Sequence, residues 1–192
     1  MDTTNITTII IVAVIALVIG ALLMMAFSRL QRTRRLKERF GPEYDRTLDR
    51  LGDKGQVETE LETRLAHVQN LNIRSLSADE INRFALDWQA TQTDFVDRPL
   101  GAVQKADRLI REVMSTRGYP VEDFEQRAAD ISVDYPDVVT NYRELLEIAT
   151  KGEREKISTE EMRQAMVAGR ELFERLVQPQ TNVEDVNQKE RI

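Results

Sequence analysis

The apolar residues of the chain are concentrated near its beginning, where residues 7–27 read TTIIIVAVIALVIGALLMMAF without a charged or amide side chain. At about 1.5 Å per residue, an α-helix of this length spans roughly 32 Å, which matches the hydrocarbon thickness of a bilayer. A single segment can satisfy its backbone hydrogen bonds in lipid only as a helix. The pattern predicts one transmembrane helix over residues 7–28, preceded by a short extracytoplasmic end at residues 1–6.

Beyond this span, apolar residues recur at steps of three and four, which is typical of amphipathic helices. In the first such segment they are Leu36, Phe40, Tyr44, Leu48 and Leu51. The spacing predicts a basic juxtamembrane helix over residues 29–52. Because proline lacks an N–H group and clashes with the preceding turn, we expect a kink near Pro42.

Helix starts and ends are marked in the later part of the chain. Ser77 with Glu80 and Ser158 with Glu161 match the capping box that opens a helix. Pro99 and Pro136 are placed as first helical residues, and Gly152 as a C-terminal stop.

No segment of the chain alternates apolar and polar residues in the manner of a strand. The sequence therefore predicts an all-α protein: one N-terminal transmembrane helix followed by a multi-helix soluble bundle, with no significant sheet. The helical domain should cover residues 53–177. The polar residues 178–192 have no apolar period and are predicted to be disordered.

A basic segment lies directly after the span, whereas the residues before it hold no Lys or Arg. Its members are predicted topology determinants or contacts to lipid headgroups: Arg29, Arg32, Arg34, Arg35, Lys37 and Arg39. Because such residues stay on the cytoplasmic side, we expect the N-terminus outside and the C-terminal domain in the cytoplasm. A cleaved signal peptide is the less favoured alternative, because the residues before the span hold no Lys or Arg, the apolar stretch is too long, and no A-x-A-like site follows it.

Charge and composition narrow the possible functions further. Residues 1–40 hold six basic and two acidic side chains, while residues 41–192 hold 21 basic and 31 acidic ones. An acidic soluble part without a basic, aromatic stripe makes nucleic acid an unexpected partner. The chain has no Cys, which excludes disulfides, Cys-ligated metals and thiol nucleophiles.

The sequence shows no pattern of catalysis or metal binding. It has no glycine-rich phosphate loop. The single histidine, His67, lacks the acidic residue three positions earlier that the Glu-x-x-His unit of a di-iron bundle needs. We expect no catalytic residue, cofactor or metal ion. The dense carboxylates of residues 122–137 leave a general acid–base pair open, although they also fit helix starts.

Four aromatic residues lie among charges in the segment RGYPVEDFEQRAADISVDYPDVVTNYR, which runs from Arg117 to Arg143. Aromatic residues in such surroundings often lie at interfaces, so they form a candidate partner surface: Tyr119, Phe124, Tyr135 and Tyr142. The other interpretation makes this segment the central turn of the bundle, with Phe124 and Tyr142 in the core. Since large exposed apolar patches are rare on monomers, the core interpretation is favoured.

The same segment, together with LKERFGPEYDRTLDRLGDKG, resembles an uncharacterised family of small bacterial proteins that are commonly described as hypothetical or secreted. The resemblance covers about residues 36–176. It implies a bacterial origin, and hence the inner (plasma) membrane, but no activity, cofactor or site residue. The description "secreted" conflicts with the charge asymmetry, which favours a cytoplasmic domain.

These patterns predict a non-catalytic protein-interaction module tethered to the bacterial inner membrane. Its expected partners are the lipid bilayer and another protein. A homodimer through Ala16 and Gly20 is a further hypothesis, because two small residues four positions apart let helices approach closely. Two alternatives stay open: a membrane-tethered enzyme that uses the carboxylates of residues 122–137, and a sensor of anionic lipid that uses the basic segment.

Overall fold

The structure, a computed structural model, describes the backbone of residues 3–151 and 156–178, with side chains from residue 17 onward in those ranges. Some sequence predictions lie wholly or partly outside these residues. They are residues 1 and 2 and the other side chains of the short end at 1–6, the side chains of the first ten residues of the span at 7–28, the helix stop at Gly152, and all but the first residue of the tail at 178–192.

The described residues are all-α, as the sequence predicts, and contain eight helices and no strand. The helices are α1 (Thr3–Phe40), α2 (Pro42–Leu51), α3 (Lys54–Gln69), α4 (Ala78–Asp94), α5 (Pro99–Arg117), α6 (Phe124–Asp134), α7 (Val139–Lys151) and α8 (Thr159–Val177). They form two compact units, Met1–Leu61 and Glu62–Ile192. The boundary falls within α3, later in the chain than the predicted domain start at residue 53.

In the first unit, α1 runs without interruption to Phe40 and ends at Gly41, whose φ of 49° lies in the left-handed region. Pro42 then begins α2, because the first residue of a helix needs no N–H partner. The buried apolar side chains of this unit are Leu36, Phe40, Tyr44, Val57 and Leu61. Within the described part of the chain, no helix carries an apolar stretch that is long enough to cross a membrane.

A buried carboxylate connects α1 to α3 within the first unit. Glu58 is 8% exposed and accepts a hydrogen bond from the Thr33 hydroxyl. The Arg32 Nε lies 3.6 Å from the other carboxylate oxygen. Burial, with the negative charge of Glu58 as the next cause, raises the pKa of the Tyr44 phenol.

The second unit holds the larger apolar core, which is built around α5. This helix packs against α4, α7 and α8. Its buried apolar residues recur at the steps of three and four that the sequence shows: Val103, Ala106, Ile110, Val113 and Met114. Both predicted capping boxes are present, with Ser77 and Glu80 opening α4 and Ser158 and Glu161 opening α8.

Two glycines allow close backbone approach in the second unit. Gly118 ends α5 with a φ of 100°, and a Cβ at this position would lie 2.6 Å from the carbonyl oxygen of Asn72. Gly169 in α8 faces α7, where a Cβ would lie 2.9 Å from the Leu145 Cδ2. Gly118 therefore requires the absence of a side chain, because its neighbour is backbone, whereas a side chain at position 169 would require the end of the Leu145 side chain to shift.

The structure corrects one predicted helix start. Pro136 does not begin α7; it lies in a turn, and the helix starts at Val139. The Val138 N–H donates to the Tyr135 carbonyl at 3.2 Å, which closes this turn. Tyr135, which precedes the turn, has a non-helical backbone conformation with φ of −136° and ψ of 59°, and its side chain is buried in the core.

Candidate functional site

The basic segment occupies the C-terminal part of α1, and all six of its side chains are exposed. Three of them have acidic partners within the first unit. Arg32 pairs with Glu58, Arg34 with Glu38 at 2.8 Å, and Lys37 with Asp45 at 3.8 Å. The other three have no ion pair within the described part of the chain: Arg29, Arg35 and Arg39. Among the described residues, the segment therefore has three cations without an ion pair.

The aromatic residues predicted as a partner surface are for the most part buried within the second unit. Tyr119, Tyr135 and Tyr142 belong to its core, and Phe124 packs half-buried against it. The Phe124 and Tyr142 rings are tilted at 52° with centroids 6.1 Å apart. This arrangement agrees with the core interpretation of the segment, because rings enclosed by the unit's own helices leave little surface for a partner.

Arg117 organises the polar side of this core. Its guanidinium is 1% exposed and lies over the rings of Tyr119 and Tyr135, 5.8 and 5.9 Å from their centroids. It donates to the Tyr135 hydroxyl at 2.6 Å and to the Leu176 carbonyl at 3.0 Å, while its Nε donates to the Arg74 carbonyl. The side chain thus joins α5 to the end of α8 and to the segment before α4.

A second buried arginine, Arg127, lies in α6. Arg127 donates from Nε to the Tyr142 hydroxyl at 3.1 Å and from Nη1 to the Val121 carbonyl. Asp107 is also buried and pairs with Arg111 at 3.0 Å. Burial raises the pKa of the Asp107 carboxyl, and it raises the pKa of the Tyr142 phenol as well. The Arg127 contact joins α6 to α7, whereas Asp107 and Arg111 are both residues of α5.

The carboxylates of residues 122–137 are distributed over separate structural roles. Asp123 caps α6 by accepting from the Gln126 N–H at 2.8 Å, and Asp134 accepts from the Tyr119 hydroxyl at 2.5 Å. Glu125 pairs with Arg143, and Asp137 with Arg175. None of these contacts joins two carboxylates, and each has an evident structural role at a helix start or between helices.

Asp130 and His67 form a contact that the sequence did not reveal. Asp130 is fully buried, and its Oδ1 lies 3.6 Å from the His67 Nε2. The Gln126 side-chain amide donates to the same oxygen at 2.7 Å, while Oδ2 has no hydrogen-bond partner in the described chain. Burial raises the pKa of the Asp130 carboxyl, although Gln126 and His67 oppose that rise. Within the described ranges, no group of acidic and histidine side chains is placed to hold a metal ion.

An open apolar groove lies between α4 and α8 and consists of two adjoining depressions of about 380 and 190 Å³. Gln92 and Arg170 line both depressions, which makes the groove continuous. Its floor holds a stacked aromatic pair, in which the rings of Trp88 and Phe173 lie 4.6 Å apart at an angle of 14°. The Trp88 indole N–H has no hydrogen-bond partner in the described chain.

The remaining groove residues extend from both ends of this aromatic pair. From α4 and its C-terminal cap come Ile81, Ala85 and Phe95, and from α8 and its C-terminal cap come Arg163, Met166, Val167, Glu174, Val177 and Gln178. The sequence predicted both helices but not the groove, because their relative placement is a tertiary property. Comparison with models of protein families, with curated proteins and with solved structures found no match.

Proposed function

We propose that this protein is a single-pass protein of the bacterial inner membrane whose cytoplasmic helical domain binds another protein. One observation carries the anchoring part of the proposal. The large apolar side chains of α1 between Leu17 and Leu30 are exposed, with fractions from 51% for Ile19 to 75% for Met24. Exposed apolar surface of this extent in one helix is typical of a segment that has a lipid or protein environment.

The sequence supports lipid as that environment. Residues 7–27 contain no charge, and together with the start of the basic segment they match the pattern of a span with a cytoplasmic flank. The exposed cations Arg29, Arg35 and Arg39 follow directly after the apolar part of α1. The proposed topology therefore places the N-terminus outside and residues 41–192 in the cytoplasm.

The binding part of the proposal rests on the contrast between the buried charged groups of the helical domain and its accessible apolar groove. Its buried charged groups, such as Arg117 and Arg127, are engaged in hydrogen bonds between helices. By contrast, the groove between α4 and α8 is accessible, apolar and open at its surface. Such a surface supports recognition of another protein better than it supports chemistry on a substrate.

A topology map tests the anchor. The chain has no Cys, so Thr4→Cys and Asp185→Cys each introduce a single labelling site. In intact cells, a membrane-impermeant maleimide should label the Thr4→Cys variant, and it should label the Asp185→Cys variant only after the cells are permeabilised. Labelling of Asp185→Cys in intact cells, or release of the chain into the medium, would contradict the proposal.

A second measurement tests the binding. The full chain, extracted from membranes in mild detergent after reversible cross-linking in cells, should retain a specific protein in several growth conditions. Recovery of no protein above the level of an unrelated single-pass control would refute the interaction function while leaving the topology intact.

The unpaired cations favour a second candidate function, which is recognition of anionic lipid. Arg29, Arg35 and Arg39 have no acidic partner within the described residues, and each basic residue near an anionic surface contributes about 1 kcal/mol of attraction. In nanodiscs of mixed neutral and anionic lipid, a triple Gln variant at these positions should retain less anionic lipid than the matched triple Gln variant at Arg32, Arg34 and Lys37. Equal retention would remove this candidate.

A further inference from the structure

We infer that the groove between α4 and α8 is the docking site for one amphipathic α-helix of a partner protein. The partner helix presents an apolar stripe to Trp88 and Phe173, and carboxylates along the edge that faces Arg163 and Arg170. This inference rests on the proposed protein-binding function and names the chemistry of the partner.

The spacing of the groove residues fits a third helix. On the α4 side, lining residues recur at positions 81, 85, 88, 92 and 95, which are alternating steps of four and three. On α8 they recur at 163, 166, 170, 173 and 177, at the same alternating steps. Over 14 residues each row is about 21 Å long. Two parallel rows with this repeat offer the holes into which the apolar side chains of a packed helix insert.

The exposed surface of α4 next to the groove carries no charge. Its exposed positions at the same repeat are Ala78, Asn82, Ala85, Gln89 and Gln92. The five charged residues of the helix all lie off this row: Asp79, Glu80, Arg83, Asp87 and Asp94. In a chain that is 31% charged, an exposed row without charge is unusual, and depletion of charge is the compositional mark of an interface centre.

The opposite edge of the groove defines the charge of the partner. Arg163 and Arg170 line the groove seven residues apart on α8, so one partner helix can face both with carboxylates at the same spacing. At present they pair with the exposed Glu160 and Glu174 of their own helix, at 2.7 and 2.6 Å. Exposed pairs of this kind contribute at most about 1 kcal/mol, so a partner carboxylate can replace them.

A synthetic peptide tests the inference directly. The probe is an 18-residue helix with Leu along one stripe, Glu at seven-residue spacing on one edge and no Trp; its matched control carries Lys in place of that Glu. Trp88 is the only tryptophan of the chain and lies in the groove, so its fluorescence reports occupancy. With the full chain in detergent micelles, the Glu peptide should shift the emission of Trp88 and bind at least tenfold more tightly than the Lys peptide.

Variants locate the binding. Ala85→Glu and Val167→Glu place a carboxylate in the groove at exposed positions, and each should weaken the Glu peptide at least tenfold. Thr140→Glu, exposed on α7, is the control and should leave the affinity unchanged. Equal affinity of the two peptides, or unchanged binding to both groove variants, would overturn the inference. A sedimentation measurement in which the wild-type chain is a dimer and the Ala85→Glu variant is a monomer would also overturn the inference, because a second copy of the chain would then occupy the groove.

The same variants distinguish failure of the groove inference from failure of the proposed binding function. If the partner recovered from membranes is retained by Ala85→Glu and Val167→Glu, the groove is not its docking site, and the inference falls while the binding function stands. If recovery is lost in both groove variants but not in Thr140→Glu, and the Glu peptide competes with the partner, both are supported.

Discussion

The guanidinium of Arg117 donates a hydrogen bond of 2.6 Å to the hydroxyl of Tyr135, and both side chains are buried. The same guanidinium also donates to the backbone carbonyls of Arg74 and Leu176. These acceptors lie 43 and 59 residues away in the sequence, so one side chain joins three distant parts of the second unit. The stability of this unit should therefore depend strongly on Arg117.

Replacing Arg117 by Met should destabilise the second unit by about 3 kcal/mol, because it leaves buried acceptors on Arg74, Tyr135 and Leu176 without a donor. Tyr135→Phe removes one acceptor only and should lower the free energy of unfolding by about 1.5 kcal/mol. Urea unfolding of the full chain in detergent, followed by Trp88 fluorescence, measures both values. Arg163→Met, which changes an exposed arginine, is the control and should stay within about 0.5 kcal/mol of wild type.

The two glycines at opposite ends of α5 should respond in opposite directions. Gly118→Ala forces a side chain into a left-handed conformation and against the carbonyl of Asn72, so it should destabilise by about 2 kcal/mol or more. Gly101→Ala has space, with its nearest contact 3.7 Å away at Arg98, and should stabilise by up to about 1 kcal/mol. The same unfolding measurement applies; a neutral Gly118→Ala would contradict the close approach seen here.

Asp130 should make stability decrease as pH rises. Because burial raises the pKa of this carboxyl in the folded state, its stabilising contribution is complete below the ordinary pKa of Asp and is lost as pH rises through the elevated value. Asp130→Asn removes this loss and keeps an acceptor for Gln126. The variant should therefore gain stability relative to wild type as pH rises from about 3 to 7.

Asp123→Asn provides the matched control for Asp130, since Asn caps a helix as well as Asp does. The single histidine allows a direct check: the imidazole resonance of His67 should shift in Asp130→Asn and not in Asp123→Asn, because His67 lies beside Asp130. A profile of Asp130→Asn parallel to that of wild type would refute the pH prediction.

Glu80 should titrate at an unusually low pH. Arg74 and the Ser77 N–H both donate to its carboxylate, and these hydrogen bonds lower the pKa to about 2. The stabilisation that it contributes is therefore present above its ordinary pKa of 4.5 and is lost as pH falls toward about 2. Carbon-detected NMR of the side-chain carboxyl measures the pKa. In Glu80→Gln, which retains the capping geometry, this acid-dependent loss should disappear; a Glu80 pKa near 4.5 would contradict the contact.

Local chemistry in the sequence was sufficient for the starts of α4, α5 and α8 and for the fold class. Ser77 and Ser158 cap their helices in the predicted way, and Pro99 begins α5, because each of these features depends on residues within one turn. Gly118 ends α5 for the same reason. Local geometry alone decides such positions.

Features that depend on distant residues could not be predicted. Pro136 had the local chemistry of a helix start, yet it lies in a turn that the hydrogen bond from the Val138 N–H to the Tyr135 carbonyl closes, and α7 begins at Val139. The contact between His67 and Asp130, and the groove between α4 and α8, require knowledge of which helices are neighbours. The uncharged row on α4 was readable from the sequence, but its importance becomes evident only beside the groove.

Because α1 is continuous, the direction in which side chains point at one end of the helix is fixed relative to the other end. The helix has no break between its apolar part and the buried residues Leu36 and Phe40, and the first interruption after them is at Gly41. Each residue added to such a helix turns everything beyond it by about 100°. One alanine inserted after Gln31 would therefore rotate the apolar end relative to the contact between Thr33 and Glu58, whereas one inserted beyond Gly41 would leave that phase unchanged.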